Sequence, residues 1–336
     1  MCGPRPDRAL ATLVRMSKTS IIMDVDTGVD DAFALLFAAM HPDIQLLGIT
    51  CVDGNTNVDQ VIANTLKVLD AAGAGNIPVA RGAVRPLLGK SRYAEYVHGA
   101  DGMCDLGIAP SHRTVDPRSA VELLRDLVES SPDPVTIVPL APLTNIALFL
   151  RAFPETAKKV HRIVFMGGSA SAGNATAAAE FNIWHDPEAA AIVFQSGVPI
   201  SMYGLDVFMR PTVGREQATA MSKSNKPASR FAGSLALGFM EQIKASPVTL
   251  GDYGAVAFAI RPELFTAELF DVVVDTSAGP SRGQTIVDRR DAWLKSLEPL
   301  DLEDSAKVRV ALDLDVDAVV NLWYETVNSY QSSQSF

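Results

Sequence analysis

The feature that most constrains the fold is an alternation that fills the first two-thirds of the 336-residue chain. Short β-branched apolar runs at Ser20–Met23, Leu46–Val52, Val135–Leu140, Arg162–Met166 and Ile200–Tyr203 take turns with longer helical patterns. The helical patterns cover Asp31–Met40, Val58–Ala72, Ala120–Glu129, Leu143–Phe149 and Glu188–Gln195. The strand runs lack the polar–apolar alternation of a half-exposed sheet, so both of their faces are expected to be buried. Strands of that kind separated by helices predict an α/β fold, a single domain with an open, mainly parallel, Rossmann-like sheet and helices on both faces. No repeat and no Pro- or Gly-rich linker divides the chain. The expected domain therefore spans 17–330, after a loose leader at 1–16 and before a frayed tail at 331–336.

Open α/β sheets bind ligands beyond the carboxyl ends of their strands, and that is where the polar motifs fall. IIMDVDTGVDDAFALL sets Asp24, Asp26, Asp30 and Asp31 behind the first strand. Asp53-Gly54-Asn55 follows the second strand, Pro139–Asn145 the third and Gly167-Gly168-Ser169 the fourth. Asp30 or Asp31 alone could be a first-turn acid favoured by the helix dipole. That dipole supplies only about half a positive charge, too little for four crowded carboxylates. A hard divalent cation resolves the repulsion better. Calcium takes several oxygen ligands in flexible geometry, whereas magnesium keeps more of its waters.

A net charge of −10 argues against nucleic acid or an anionic membrane as partner. No apolar run approaches the ~20 residues of a membrane span, and the first residues lack the apolar core of a secretory signal. Cys2, Cys51 and Cys104 are too scattered for a disulfide framework or a zinc site, and they predict reduced thiols in a cytoplasmic protein. A phosphoryl-transfer site of the haloacid dehalogenase kind needs Thr or Val where this chain has Gly28. It also needs a second acid after Gly251-Asp252, which instead runs on into YGAVAFAI. A dinucleotide site fails too, because Gly73-Ala74-Gly75 has no third glycine.

From about Ile21 to about Val320 the chain resembles the inosine-uridine-preferring nucleoside hydrolases. DVDTGVDDAFAL, CVDGN, VHGADGM, VPLAPLTNIAL, IVFMGG, GNATAAAEFNIWHDPEAA and GLDV stand in that family's order. The resemblance implies the nucleoside hydrolase fold and hydrolysis of ribonucleosides to free base and ribose. Asp26, Asp31, Asp252 and the main-chain carbonyl of Leu140 would hold a calcium ion, with Asp24 supporting the cluster from behind. Asp30 would be the general base on water, and Asn55 would orient that water. Asn174 and Glu180 would bind the 5′-hydroxyl, Asn182 the lower ribose hydroxyls, and Met166 would pack on the sugar. The family's habit implies a homo-oligomer, dimer or tetramer, serving nucleoside salvage or catabolism in the cytoplasm.

One departure bears on the leaving group. Many relatives read HDPLA where this chain reads GDYGA, so Gly251 stands in place of the histidine that protonates the departing base. His98 is then expected to line the base pocket, or else to be a loop histidine bonded to backbone, with Tyr253 as a substitute contact. Tyr93, Tyr96 and Trp184 are the other aromatics at hand. Asn145 reads as a helix N-cap. The segment 211–246, polar and helix-prone around MSKSNKPAS, is expected to be either a lid or a pair of ordinary surface helices. The loss of the histidine also keeps open a nucleoside- or ribose-binding protein with little catalysis, or a hydrolase of another ribosyl compound.

Overall fold

The structure, a computed structural model, describes residues 18–297 and 305–329. The expected leader at 1–16 and tail at 331–336 lie outside the described residues. The strands are β1 (Thr19–Val25), β2 (Ile44–Cys51), β3 (Val79–Arg81), β4 (Asp116–Ser119), β5 (Val135–Pro139), β6 (Val160–Met166) and β7 (Ile200–Tyr203). They continue as β8 (Thr212–Val213), β9 (Val248–Thr249), β10 (Phe265–Val274), β11 (Thr285–Val287) and β12 (Ala306–Leu314). Ten of them form one sheet in the order β11-β10-β12-β7-β6-β5-β1-β2-β3-β4.

All neighbours from β12 through β7 to β4 are parallel, and only β10 and β11 at one edge are antiparallel. In the centre, Met23 of β1 pairs with Ile49 of β2 on one side and Val138 of β5 on the other. The chain runs outward from β1 through β4, then returns to the far side of β1 as β5. That reversal opens a crevice at the carboxyl ends of β1 and β5, the usual binding place in such sheets.

Residues of β1 alternate between two cores. Ile21, Met23 and Val25 pack with Phe33, Leu36 and Phe37 of the Val29–Met40 helix and with Trp323. The Trp323 indole N–H donates to the Phe33 carbonyl at 3.1 Å. Ile22 joins Ile137, Phe149, Phe165 and Val193 on the other face. The Val29–Met40 helix begins under its own acid, since Asp31 Oδ2 accepts from the Gly28 N–H at 2.9 Å. It ends at His41, before Pro42.

The apolar runs of the sequence predict no strand beyond residue 203. β10 lies near the edge of the sheet and buries its residues unevenly, with Leu269 exposed, so it lacks the unbroken apolar run of a central strand. In the 211–246 segment a turn with exposed Lys223 and Asn225 joins the helices Arg215–Ser222 and Pro227–Gln242. The second helix buries Ala232, Leu235, Ala236 and Met240 in the larger core, and the short β8–β9 pairing links strands on either side of both helices. Among the described residues no helix is long and apolar enough to cross a membrane.

Candidate active site

Asp30, Asp31 and Asp252 present carboxylate oxygens that all lie within 4.8 Å of one another. The first two come from the helix start behind β1, and Asp252 comes from the turn before the Tyr253–Ile260 helix. Asp26 lies beside them: its Oδ2 accepts the Asn55 N–H at 2.7 Å, while its buried Oδ1 has no hydrogen-bond partner among the described residues. Asn55 also donates from Nδ2 to Asp31 Oδ2 at 3.3 Å. Gly54 permits this approach, because a Cβ there would stand 2.0 Å from Asp26 Oδ2. Behind the group, Asp24 accepts from Thr50 Oγ1 (2.6 Å) and from Asn145 Nδ2 (2.8 Å). Asn145 is therefore a buried brace inside its helix, and the residue at the cap position is Leu143.

Burial is the main cause that pushes these acids up. Asp24 and Asp31 are raised to about 7, and for Asp31 the neighbouring Asp30 charge adds to burial. Asp26 and Asp252 are also raised, first by burial and then by the surrounding carboxylates. The leading charges on Asp252 are Asp30, Asp31, Asp26 and Glu180, every one of them negative.

Asp30, Asn55 and Asp252 open into a cavity of about 350 Å³, whose lining also includes His98, Met166, Asn174, Glu180 and Asn182. Glu180 starts the Phe181–His185 helix: its Oε1 accepts from the Asn182 N–H (2.9 Å), and its Oε2 from Gly168 (2.9 Å) and Ile183 (3.1 Å). Burial lifts its carboxyl to about 7. Asn182 Nδ2 donates to the Leu140 carbonyl at 2.9 Å and to the Met166 carbonyl at 3.2 Å. Asn174 accepts the Phe181 N–H at 2.9 Å. The structure thus brings Asp30, Asn55, His98, Met166, Asn174, Glu180, Asn182 and Asp252 to one cavity, with Asp26 and Asp31 bonded to Asn55, the Leu140 carbonyl bonded to Asn182, and Asp24 behind them.

His98 stands on the cavity wall and is also bonded to backbone. Its ring lines the cavity, and its Nδ1 accepts the Val29 N–H at 3.3 Å while lying 4.0 Å from Asp30 Oδ1. It stacks on Phe239, with centroids 5.9 Å apart and planes at 9°. Burial lowers its pKa, opposed by the Asp30 charge. Tyr253 corrects an expectation: it is fully buried in the core, donates to the Val319 carbonyl at 2.8 Å and does not reach the cavity. Trp184 lies under the Arg92 guanidinium, and Tyr93 turns to Asp53, so of the aromatics named from sequence only Tyr96 joins the wall.

The apolar wall formed by Phe208, Phe239, Ile243, Pro247 and Val248 was missed in the sequence. These side chains are ordinary apolar residues whose shared face appears only after the chain folds. Gly251 belongs to the same region. Its φ of +52° is a left-handed conformation, and a Cβ there would come within 2.7 Å of Asp30 Cβ and 2.9 Å of the Phe208 ring.

A mainly parallel α/β sheet with a carboxylate-lined cavity at its switch point is the architecture of a small-molecule binding or active site. Residues 21–321 match the family described as inosine-uridine preferring nucleoside hydrolase. The chain is 39% identical over 310 residues to the non-specific ribonucleoside hydrolase RihC of Salmonella paratyphi B, covering 92% of this chain and 97% of that protein. It is 36% identical over 317 residues to the pyrimidine-specific ribonucleoside hydrolase RihA of Citrobacter koseri, covering 93% and 99%. Among solved structures, a plant nucleoside hydrolase superposes with a TM-score of 0.85 at 30% identity, covering 93% of this chain and 99% of that one. A purine-preferring ribonucleoside hydrolase from Gardnerella vaginalis gives 0.83 at 32% identity, covering 92% and 98%. The chain belongs to the inosine-uridine-preferring nucleoside hydrolase family and is a nucleoside N-ribohydrolase.

Proposed function

We propose that the protein hydrolyses the N-glycosidic bond of ribonucleosides in a calcium-dependent reaction, with Asp30 as general base, and serves nucleoside salvage or catabolism. The observation that carries this reading is the cluster of Asp30, Asp31 and Asp252, of which Asp30 and Asp252 line the same cavity as Asn174, Glu180 and Asn182.

The residues suit a hard cation. The donor set is carboxylate and carbonyl oxygen, without the thiolate or imidazole that zinc sites favour. Asp26 Oδ1 is buried and unpartnered among the described residues, and burial, with the neighbouring carboxylate charges adding to it, lifts Asp26, Asp31 and Asp252 together. Asp26, Asp31, Asp252 and the Leu140 carbonyl would hold calcium. When bound, it would acidify a water and grip the ribose diol.

The remaining work falls to side chains. Asp30, on the cavity wall, accepts a proton from water as it attacks the anomeric carbon. Asn55, tied to Asp26 and Asp31, fixes the water's direction. The negative charge of the acidic cluster favours the oxocarbenium character that develops as the base departs, and direct water attack makes this an inverting reaction. Asn174 and Glu180 take the 5′-hydroxyl, Asn182 the lower hydroxyls, and Met166 the sugar face. On the base side, His98 uses Nδ1 to accept from backbone, which leaves its Nε2 proton for the base.

The diol contacts give the test. A ribonucleoside and its 2′-deoxy counterpart are compared in kcat/KM. The proposal expects the deoxy substrate to be far poorer, and equal turnover of the two would overturn the ribose-grip assignment.

A further inference from the structure

The cavity draws its walls from separate stretches of chain. Segment 82–98 contributes Ala94, Tyr96, Val97 and His98, and the Phe181–His185 helix contributes Asn182. Asp53 lies between them, two residues before Asn55. Its Oδ1 accepts from the Tyr93 hydroxyl at 3.2 Å, and its Oδ2 lies 3.6 Å from His185 Nε2. Both the Asp53 and His185 side chains are only 1% exposed. Asp53 Oδ2 and both His185 ring nitrogens have no hydrogen-bond partner among the described residues. A shift of a few tenths of an ångström would bring Nε2 and Oδ2 into hydrogen-bonding range.

Neither Asp53, Tyr93 nor His185 lines the cavity, so the reaction does not explain why a carboxylate and an imidazole are buried there. Neighbouring contacts tie the same two parts together. Asp186 Oδ2 accepts from the Leu87 N–H at 2.8 Å, and the Arg92 guanidinium lies 3.9 Å from the centre of the Trp184 ring. Segment 82–98 has little regular structure of its own, only the short Glu95–His98 helix, so its place must be set by such contacts.

We propose that Asp53 and His185 are positioning residues for the hydrolysis. With Tyr93 they latch segment 82–98 against the Phe181–His185 helix, and so set the base wall at a fixed distance from the ribose-binding ledge. This inference rests on the proposed hydrolase reading. Asp53 also precedes Asn55 in the same turn, so a displaced latch moves the water-orienting amide as well as the base wall. Misplacement on the order of 1 Å can cost about a hundredfold in rate, even when the altered residue is remote from the chemistry.

The test uses the whole protein as Tyr93→Phe, His185→Leu and His185→Gln. Two readouts are taken: tryptic cleavage after the exposed Lys90 and Arg92 without substrate, and kcat and KM for a ribonucleoside. The latch predicts faster cleavage in the first two variants and a kcat/KM lower by about tenfold to a hundredfold. It predicts substantial recovery in His185→Gln, whose side-chain amide can still donate to Asp53. Wild-type cleavage and wild-type kinetics in Tyr93→Phe and His185→Leu would overturn it. Equal impairment of the Leu and Gln variants, accompanied by a fall in melting temperature, would also overturn it, because packing alone would then account for the loss. A wild-type protein that releases no ribose would instead defeat the hydrolase reading, and the cleavage rates would still decide the latch.

Discussion

Asp30 differs from its neighbours in what it is free to do. Asp31 is engaged by the Gly28 and Asp26 N–H groups, Asp26 by Asn55, and Asp24 by Thr50 and Asn145. Among the described residues Asp30 accepts a single hydrogen bond, from the Asp31 N–H at 3.3 Å, lies 4.0 Å from His98 Nδ1 and faces the cavity. Asp30→Asn is therefore expected to lower kcat by a factor of about 100 to 10,000, the usual worth of a general base. Melting temperature should hold, because one charge leaves a repulsive group. Steady-state kinetics beside a thermal melt checks both. Gly251 gives a second expectation at this scale. Restoring the missing histidine as Gly251→His should reduce turnover, since a left-handed residue with a side chain costs about 1–2 kcal/mol. The new Cβ would also press on Asp30. A gain in uridine hydrolysis would contradict that.

At the scale of elements, the end of β1 and the helix that follows it place most of the acids, and these were legible in sequence. An all-buried strand, a glycine and a DD pair at a helix start force carboxylates to the carboxyl edge of the sheet. Glu180 and Asn182 could be nominated only through resemblance, because a cap residue and a surface amide look alike until the helix is seen meeting Leu140 and Met166. The antiparallel edge of β10–β12 and the apolar wall were not legible. Edge strands bury one face unevenly, and Phe239 reads as one more apolar position on an amphipathic helix. That helix now carries an expectation. Phe239 is buried and lies parallel to His98. Phe239→Ala should cost about 3–5 kcal/mol of stability, the range for emptying an aromatic core site. It should also raise KM for ribonucleosides by loosening His98. Urea unfolding with KM measurements would show it, and a stability loss without any KM change would remove the wall from the binding account.

For the whole molecule, burial of acids links stability to pH and to metal. Asp24, Asp31 and Glu180 are each lifted to about 7 in the folded protein, from 3.8 for the aspartates and 4.5 for the glutamate. A raised carboxyl pKa means that the folded state holds the proton more tightly than the unfolded state. The resulting stabilisation is full below the unfolded values and is lost as pH climbs through about 7. Metal-stripped protein should therefore melt at a lower temperature at about pH 8 than at about pH 5. Added calcium should raise the melting temperature at the higher pH, where the carboxylates are ionised, because a ligand that binds only the folded state stabilises it. A flat pH profile of the stripped protein would count against the buried-acid picture.

The measurement that tests the central claim most directly is ribose release from inosine, guanosine, adenosine, uridine and cytidine, before and after stripping of calcium. The account predicts turnover by the untreated protein, its loss on stripping and its return when calcium is restored. Full turnover in the stripped protein would contradict the assignment of the aspartates to a metal. Absence of turnover on all five with calcium present would contradict the proposed ribonucleoside substrate.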